Sequence, residues 1–132
     1  QLAKNLFLDG RRTLLRKLRE LLLALNMEGR MSKDSILALY LNVVEFGPGI
    51  NGIAEASDAW FMKDPAHLSA REAAFLVSIL PAPNMWHERI RKTNRVPIKR
   101  VNEVLNRMRI RGTLSAAQHR RAIQERLRVV PP

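Results

Sequence analysis

A run of leucines between Arg11 and Arg30 constrains the fold of this chain more than any other feature. The leucines recur at steps of three and four residues, which places them along one face of a helix. Such a face has to be buried, so the pattern predicts a central helix from Arg11 to about Glu28, ended by Gly29. The leucines of this face are Leu14, Leu15, Leu18, Leu21, Leu22 and Leu25.

Another face of the same predicted helix carries a carboxylate among cations. Arg16 and Glu20 stand one turn apart, with Lys17 and Arg19 beside them. Surrounding cations would keep Glu20 ionised and close to any anion that they attract, as an enzyme acting on a phosphorylated substrate requires. The alternative is an ordinary surface pair worth about 0.3–0.5 kcal/mol. The helix alone favours that alternative.

Length and charge restrict the domain count and the partner. The 132 residues suffice for a single domain over residues 1–132 with a real core. A net charge of +11 indicates a polyanionic partner, which could be nucleic acid, an anionic membrane surface or a phosphate-bearing substrate. The absence of cysteine excludes disulfides and thiolate chemistry. No apolar stretch is long enough to span a membrane, and because the chain begins at Gln1 inside a helical pattern we expect it to be part of a longer protein.

Capping residues and prolines predict the remaining helices. Ser69 with Glu72, and Ser115 with Gln118, have the spacing of capping boxes. The other predicted elements are an incomplete helix over Gln1–Leu8 with a turn at Asp9–Gly10, a helix from Ser32 to about Asn42 with Ile36, Leu37, Tyr40 and Leu41 inward, a short helix over Ile53–Phe61, a helix from Ser69 through Leu80, a helix from Pro97 to Gly112, and a last helix from Ser115 toward Leu127.

Segments rich in glycine and proline separate these helices. GPGING at residues 47–52 predicts a loop, which could cradle a phosphate but is better explained as a tight interhelical turn. PAPNMW at residues 81–86 predicts a rigid, partly extended turn, and residues 129–132 an extended end. No strand pattern appears. The predicted fold is therefore all-α, with six or seven helices.

Few side chains outside the central helix suggest chemistry by themselves. His67, His87 and His119 are too far apart in sequence to have metal-ligand spacing. Trp60 and Phe61 are predicted in the core, and Tyr40 could lie in the core with its hydroxyl at the rim. The basic segment HRRAIQERLR could touch nucleic acid or lipid headgroups, although a solvated face is the better interpretation.

Several segments taken together, in order, resemble the family-51 peptidoglycan glycosyltransferases, which include the glycosyltransferase domain of penicillin-binding proteins. The segments are QLAKNLFL, RRTLLRKLRE, SKDSILALYLNVVEFGPGINGI, WF and LSAREAAFLVSILPAPNMW. Within the family, VVEFGPGI is most similar to the monofunctional biosynthetic transglycosylase branch. The resemblance covers nearly the whole chain, which would be the C-terminal portion of a glycosyltransferase domain truncated at its N-terminus.

This resemblance implies a lysozyme-like helical fold anchored in the bacterial cytoplasmic membrane and facing the periplasm or exterior. It implies polymerisation of lipid II by inverting transfer to the acceptor 4-hydroxyl, with release of polyprenyl pyrophosphate. Glu20 matches the second catalytic carboxylate of the family. The positions matching substrate-binding residues are Gln1, Lys4, Asn5, Arg12, Arg16 and Lys17.

The implied partners are lipid II, the growing glycan strand, the membrane surface and other cell-wall synthesis proteins. No resident cofactor is implied with certainty, although a divalent cation (Mg²⁺ or Mn²⁺) could sit at the pyrophosphate. The family's first carboxylate, its general base, has no match in this chain, so we expect the 132 residues alone to be inactive.

Other positions depart from the family pattern. Ala38 stands where the family has glutamate, Ala54-Glu55 reverses the usual order, Met62 replaces a glycine and Met85-Trp86 replaces Tyr-Asn. We expect Ala38 to weaken helix packing more than chemistry. These changes keep two other hypotheses open: a non-catalytic relative that binds lipid II or a cell-wall partner, and a basic helical nucleic-acid binder that rests on charge alone.

Overall fold

Helices account for most of the backbone in this computed structural model, which describes Glu20, residues 23–25 and residues 29–132. Glu20 and residues 23–25 are helical, and Gly29 follows in a left-handed conformation with φ 65°. The N–H of Arg30 donates to the carbonyl of Leu25 at 3.1 Å, which is how a helix closes past such a glycine. This geometry at Gly29 agrees with the prediction that Gly29 ends the central helix, whose residues 26–28 lie outside the described ones. The rest of that helix, its leucine face before Leu25, and the predicted elements over residues 1–10 lie outside the described residues.

The elements that follow run without long connections. They are α1 (Lys33–Val43), β1 (Glu45–Gly47), β2 (Ile50–Asn51), α2 (Gly52–Phe61), a 3₁₀ turn (Pro65–His67), α3 (Ala70–Ile79), α4 (Pro83–Thr93), α5 (Ile98–Ile110) and α6 (Ala116–Gln124). None of the helices in the described ranges combines the length and apolarity needed to cross a membrane.

The capping signals work as their chemistry predicts. Ser69 accepts a hydrogen bond from the N–H of Glu72, and the Glu72 carboxylate accepts one from the N–H of Ser69, at 3.1 and 2.9 Å. Ser115 and Gln118 form the same reciprocal pair at the start of α6. Ser32 accepts from the N–H of Ser35 and caps α1. Each cap satisfies backbone donors that the first turn of a helix leaves without a partner.

Two predictions about helix extent were wrong. PAPNMW is not an extended turn, because α4 begins at Pro83 and carries Trp86 inward. Proline suits a first helical turn, where no intrahelical donor is needed, and so it begins this helix instead of preventing it. The last helix ends at Gln124, before the predicted Leu127, and the chain continues without regular secondary structure to its end.

The predicted GPGING loop is a short β-hairpin. β1 and β2 pair antiparallel, with Glu45 opposite Asn51 and Gly47 opposite Ile50. Gly49 and Gly52 adopt φ of 74° and 83°, which a residue with a Cβ atom rarely does. The hairpin carries the chain from α1 to α2 in a few residues, and the class remains mostly helical as predicted.

Aromatic side chains form the centre of the core. Trp60 is fully buried and packs edge-to-face with Phe75, with ring centroids 5.2 Å apart, and Phe61 packs edge-to-face with the same Phe75 at 5.6 Å. The indole N–H of Trp60 donates to the carbonyl of Phe46 in the hairpin at 3.3 Å. The prediction that Trp60 and Phe61 belong to the core is confirmed. Val101 and Leu105 of α5 complete the buried layer.

The prediction for the inward face of α1 was partly wrong. Ile36, Tyr40 and Leu41 are half-buried, but Leu37 is 54% exposed and no residue of α1 is fully buried. Leu37 falls between Tyr40 and Leu41 around the helix but one turn nearer its start, and no described residue covers that turn of α1. Ala38 is also exposed, and so the alanine leaves no void in the core.

Buried polar groups fasten the C-terminal part to the core. Arg71 is 5% exposed, and its Nη1 atom lies within 3.1–3.3 Å of the carbonyls of Ala122 and Ile123 at the end of α6. The hydroxyl of Ser69 donates to the carboxylate of Glu125 at 2.7 Å. A cation at a helix C-terminus also complements the helix dipole, so Arg71 stabilises the position of α6 both through hydrogen bonds and through this electrostatic interaction.

Candidate functional site

Glu20 is the one predicted site residue that the described part of the chain contains. It is helical and its side chain is exposed. The residues predicted to bind substrate lie outside the described residues: Gln1, Lys4, Asn5, Arg12, Arg16 and Lys17.

Glu45 is a buried carboxylate that the sequence-based search for site residues missed. Only 1% of its surface is exposed, and its neighbours Val44 and Phe46 are equally buried. Burying an ionised carboxylate is costly unless other groups interact with it, and Glu45 does have such an interaction. The signal that could have found it is the single charge in the apolar run VVEF. The hairpin thus places a carboxyl group inside the fold, beside the tight turn.

Tyr40 lies at the end of α1, before this hairpin, and is half-buried. Removal of water by burial raises the pKa of its hydroxyl above the ordinary value. The hydroxyl therefore stays protonated and available as a hydrogen-bond donor throughout the physiological range. This agrees with the prediction of a tyrosine between core and rim.

Two of the departures from the family pattern acquire a physical meaning in α2. The carboxylate of Glu55 accepts a hydrogen bond from the N–H of Asn51 at 2.8 Å, so it stabilises the start of the helix. Met62 ends the helix with φ 55° and ψ 40°, the left-handed conformation that glycine adopts without strain. Met62 therefore costs conformational energy at a position where the family pattern has glycine.

The histidines have structural roles or lie on the surface. The Nε2 atom of His87 donates to the carbonyl of Pro132 at 2.7 Å, and the ring packs edge-on against Trp60. His119 lies 2.7 Å from the side-chain oxygen of Asn106, and His67 is exposed. Within the described ranges, no three histidine or acidic side chains converge as a metal site requires.

Comparison with known proteins identifies the family. Residues 1–109 match the family model described as Transglycosylase. The chain belongs to this family. The predicted resemblance is thereby confirmed, and the residues that match include every segment on which it rested.

Individual relatives give the same family assignment. The biosynthetic peptidoglycan transglycosylase of Thiobacillus denitrificans is 47% identical over 88 residues, which are 67% of this chain and 38% of that protein. The corresponding protein of Shewanella amazonensis is 43% identical over 112 residues, covering 85% of this chain and 45% of the relative. Penicillin-binding protein 1A of Aquifex aeolicus is 38% identical over 129 residues, 98% of this chain and 18% of that protein.

The structural comparison supports the predicted helical transglycosylase fold. A crystal structure of penicillin-binding protein 1A from Haemophilus influenzae superposes with a TM-score of 0.65 and 28% sequence identity. The match covers 74% of this chain and 14% of that chain. The chain thus spans less than half the length of each of these relatives.

Proposed function

We propose that this chain is part of a peptidoglycan glycosyltransferase that polymerises lipid II into glycan strands. The observation that carries the proposal is the family match over residues 1–109, because it includes Glu20 and the basic residues around it. The exposed position of Glu20 supports the proposal, since a carboxylate acting on a large amphiphilic substrate has to be reachable from solvent.

The proposed reaction is an inverting displacement at the anomeric carbon of the donor sugar. The acceptor 4-hydroxyl forms the new bond to that carbon, the bond to the pyrophosphate oxygen breaks, and a general base takes the hydroxyl proton. Lys4, Arg12, Arg16 and Lys17 stabilise the negative charge of the departing pyrophosphate. Glu20 orients these cations or the acceptor. The relatives extend well beyond the matched region, and we assign the general base to a segment outside these 132 residues.

A divalent cation would add Lewis-acid stabilisation of the leaving pyrophosphate. Glu20 fits this use, because Mg²⁺ and Mn²⁺ prefer carboxylate oxygens and its side chain is exposed. We place the enzyme at the outer face of the bacterial cytoplasmic membrane, where lipid II and the growing strand would meet it. Other cell-wall synthesis proteins are further proposed partners, and nucleic acid is not.

Binding of fluorescent lipid II in detergent at moderate salt tests the donor-site assignment. Arg12→Ala should weaken binding, whereas Arg128→Ala, an exposed arginine outside the family match, should not. Duplex DNA should fail to compete. If DNA displaces lipid II and both variants bind alike, the basic residues form only a charged surface and the assignment is wrong.

A polymerisation assay then separates catalysis from binding. The 132 residues alone should produce no polymer, and the chain extended upstream should produce it. In the extended chain, Glu20→Gln should abolish polymerisation and reduce lipid II binding much less. Departures such as the strained Met62 favour a second candidate, a non-catalytic relative that binds lipid II. That candidate would be supported if the extended chain binds lipid II and makes no polymer.

A further inference from the structure

A basic cavity lies where α4 meets the start of α5. Its volume is about 390 Å³, which is within the range of small-molecule sites. Its charged lining consists of Arg89, Arg95, Lys99 and Arg100, while Trp86 and the loop residues 96–98 supply an apolar wall. None of these residues belongs to the set assigned to lipid II, so the cavity calls for an explanation of its own.

Trp86 organises two of the cations. The guanidinium carbon of Arg89 lies 5.3 Å from the centroid of the indole ring, and that of Arg100 lies 5.6 Å from it. Stacking on the indole holds both planar groups in place while their N–H donors remain available. Trp86 itself is 8% exposed, so this platform is built into the fold.

The positive charge of the cavity has no counter-charge within the part of the chain that the structure describes. In residues 29–132, no acidic side chain forms an ion pair with any of the four cations, whereas Lys92 nearby is paired with Glu88 at 2.6 Å. Four like charges around one cavity repel one another, and a bound anion would remove that cost.

The start of α5 adds to the positive field. Its N-cap is Pro97, which offers no capping side chain, and its first turn contains no acidic residue. Lys99 and Arg100 instead stand in that turn, opposed to the helix dipole. The indole N–H of Trp86 is a buried donor that has no acceptor within the part of the chain that the structure describes. An oxygen-rich anion offers acceptors and negative charge together.

We propose that this cavity binds a phosphate ester. A phosphate group matches the guanidinium forks of Arg89 and Arg100, and its organic substituent matches the apolar wall. Nucleic acid fits less well, because it requires an extended charged track and these four cations surround a single cavity of about 390 Å³. The ester is either a soluble phosphate monoester or the headgroup of an anionic phospholipid, which share this chemistry.

Nuclear magnetic resonance of the full chain tests the site through the two tryptophan indole N–H signals, assigned with Trp86→Phe. If the ester is soluble, glycerol 3-phosphate should shift the Trp86 signal to saturation and leave that of Trp60 in place. If it is a lipid headgroup, the anionic vesicles described below should do the same. Arg89→Gln combined with Arg100→Gln should weaken the effect about tenfold or more, as expected for lost charge-assisted hydrogen bonds. The matched control, Arg120→Gln with Arg126→Gln, removes the same charge from exposed positions elsewhere and should bind normally.

Three results would overturn the proposal. The shift does not saturate, sodium chloride at equal ionic strength reproduces it, or both double variants reduce it equally. If the first double variant loses its folded spectrum, Arg95→Gln with Lys99→Gln is judged by the same criterion, because it leaves both stacked guanidinium groups intact.

Vesicles distinguish the two sources. Phosphatidylglycerol mixed into phosphatidylcholine is compared with phosphatidylcholine alone. A response to glycerol 3-phosphate supports a soluble ester, a response only to the anionic vesicles supports a lipid headgroup, and a response to neither overturns the proposal.

Discussion

Replacing Gly52 with alanine would place a methyl group 2.5 Å from the carbonyl oxygen of Asn42. Gly52 has φ 83°, and its own N–H donates to the carbonyl of Val44 at 2.8 Å, so the end of α1 and the start of α2 are held together at this point. Because the obstructing atom belongs to the backbone, no side chain can rotate away to make room.

The cost of Gly52→Ala has two parts. A left-handed backbone costs a residue with a Cβ atom about 1–2 kcal/mol. Ordinary contact begins at 3.4 Å, so the two backbones must also separate by about 0.9 Å, the difference between 3.4 and 2.5 Å. Overpacking of this kind costs roughly 1–3 kcal/mol, for a total of about 2–5 kcal/mol.

Gly49, in the turn of the neighbouring hairpin, provides the matched control. It has φ 74°, but an added Cβ would meet nothing within 4 Å. Gly49→Ala should therefore lose only the conformational part, about 1–2 kcal/mol. Urea unfolding followed by circular dichroism measures both free energies. If the two variants lose the same stability within about 0.5 kcal/mol, steric contact at Gly52 is not what requires glycine there.

Three further outcomes follow from local geometry. Met62→Gly should raise the free energy of unfolding by up to about 1 kcal/mol, and Asn94→Gly should raise it by less. Both residues adopt the left-handed conformation, which asparagine tolerates better than methionine. A larger increase in stability for Asn94→Gly than for Met62→Gly would contradict this reasoning. Ser115→Ala should lower the free energy of unfolding by about 1 kcal/mol and Ser69→Ala by about 1–2 kcal/mol. The loss at Ser69 is larger because its hydroxyl also donates to the carboxylate of Glu125 at 2.7 Å. Equal losses of stability in urea unfolding would refute this difference. Tyr40 is the only tyrosine, so ultraviolet absorbance reports its titration alone, and its pKa in the folded protein should lie above 10.0. Because the pKa of Tyr40 is raised in the folded protein, the stability linked to Tyr40 is fully present below the unfolded pKa and is lost as pH rises through the folded pKa. A titration midpoint of the folded protein at or below the ordinary value would contradict the burial argument.

Local chemistry explains which helices could be predicted. A capping box involves residues three apart, so Ser69 with Glu72 and Ser115 with Gln118 identified two helix starts correctly. α4 was missed because proline at its start resembles a break and its sequence is mostly polar. Only packing of Trp86 and Ile90 against the core shows that this segment has a buried face.

The sequence by itself determined the family, the helical class and the ends of most helices, because motif order and capping depend on residues close together in the chain. Tertiary structure decided the rest. Glu45 is buried because the hairpin packs against Trp60. Arg71 binds the C-terminal carbonyls of α6 because that helix ends beside it. Arg89 and Arg100 lie on different helices, and one indole ring brings their guanidinium groups together. Such charge placements depend on contacts between segments that are distant in sequence, and a local sequence pattern cannot predict those contacts.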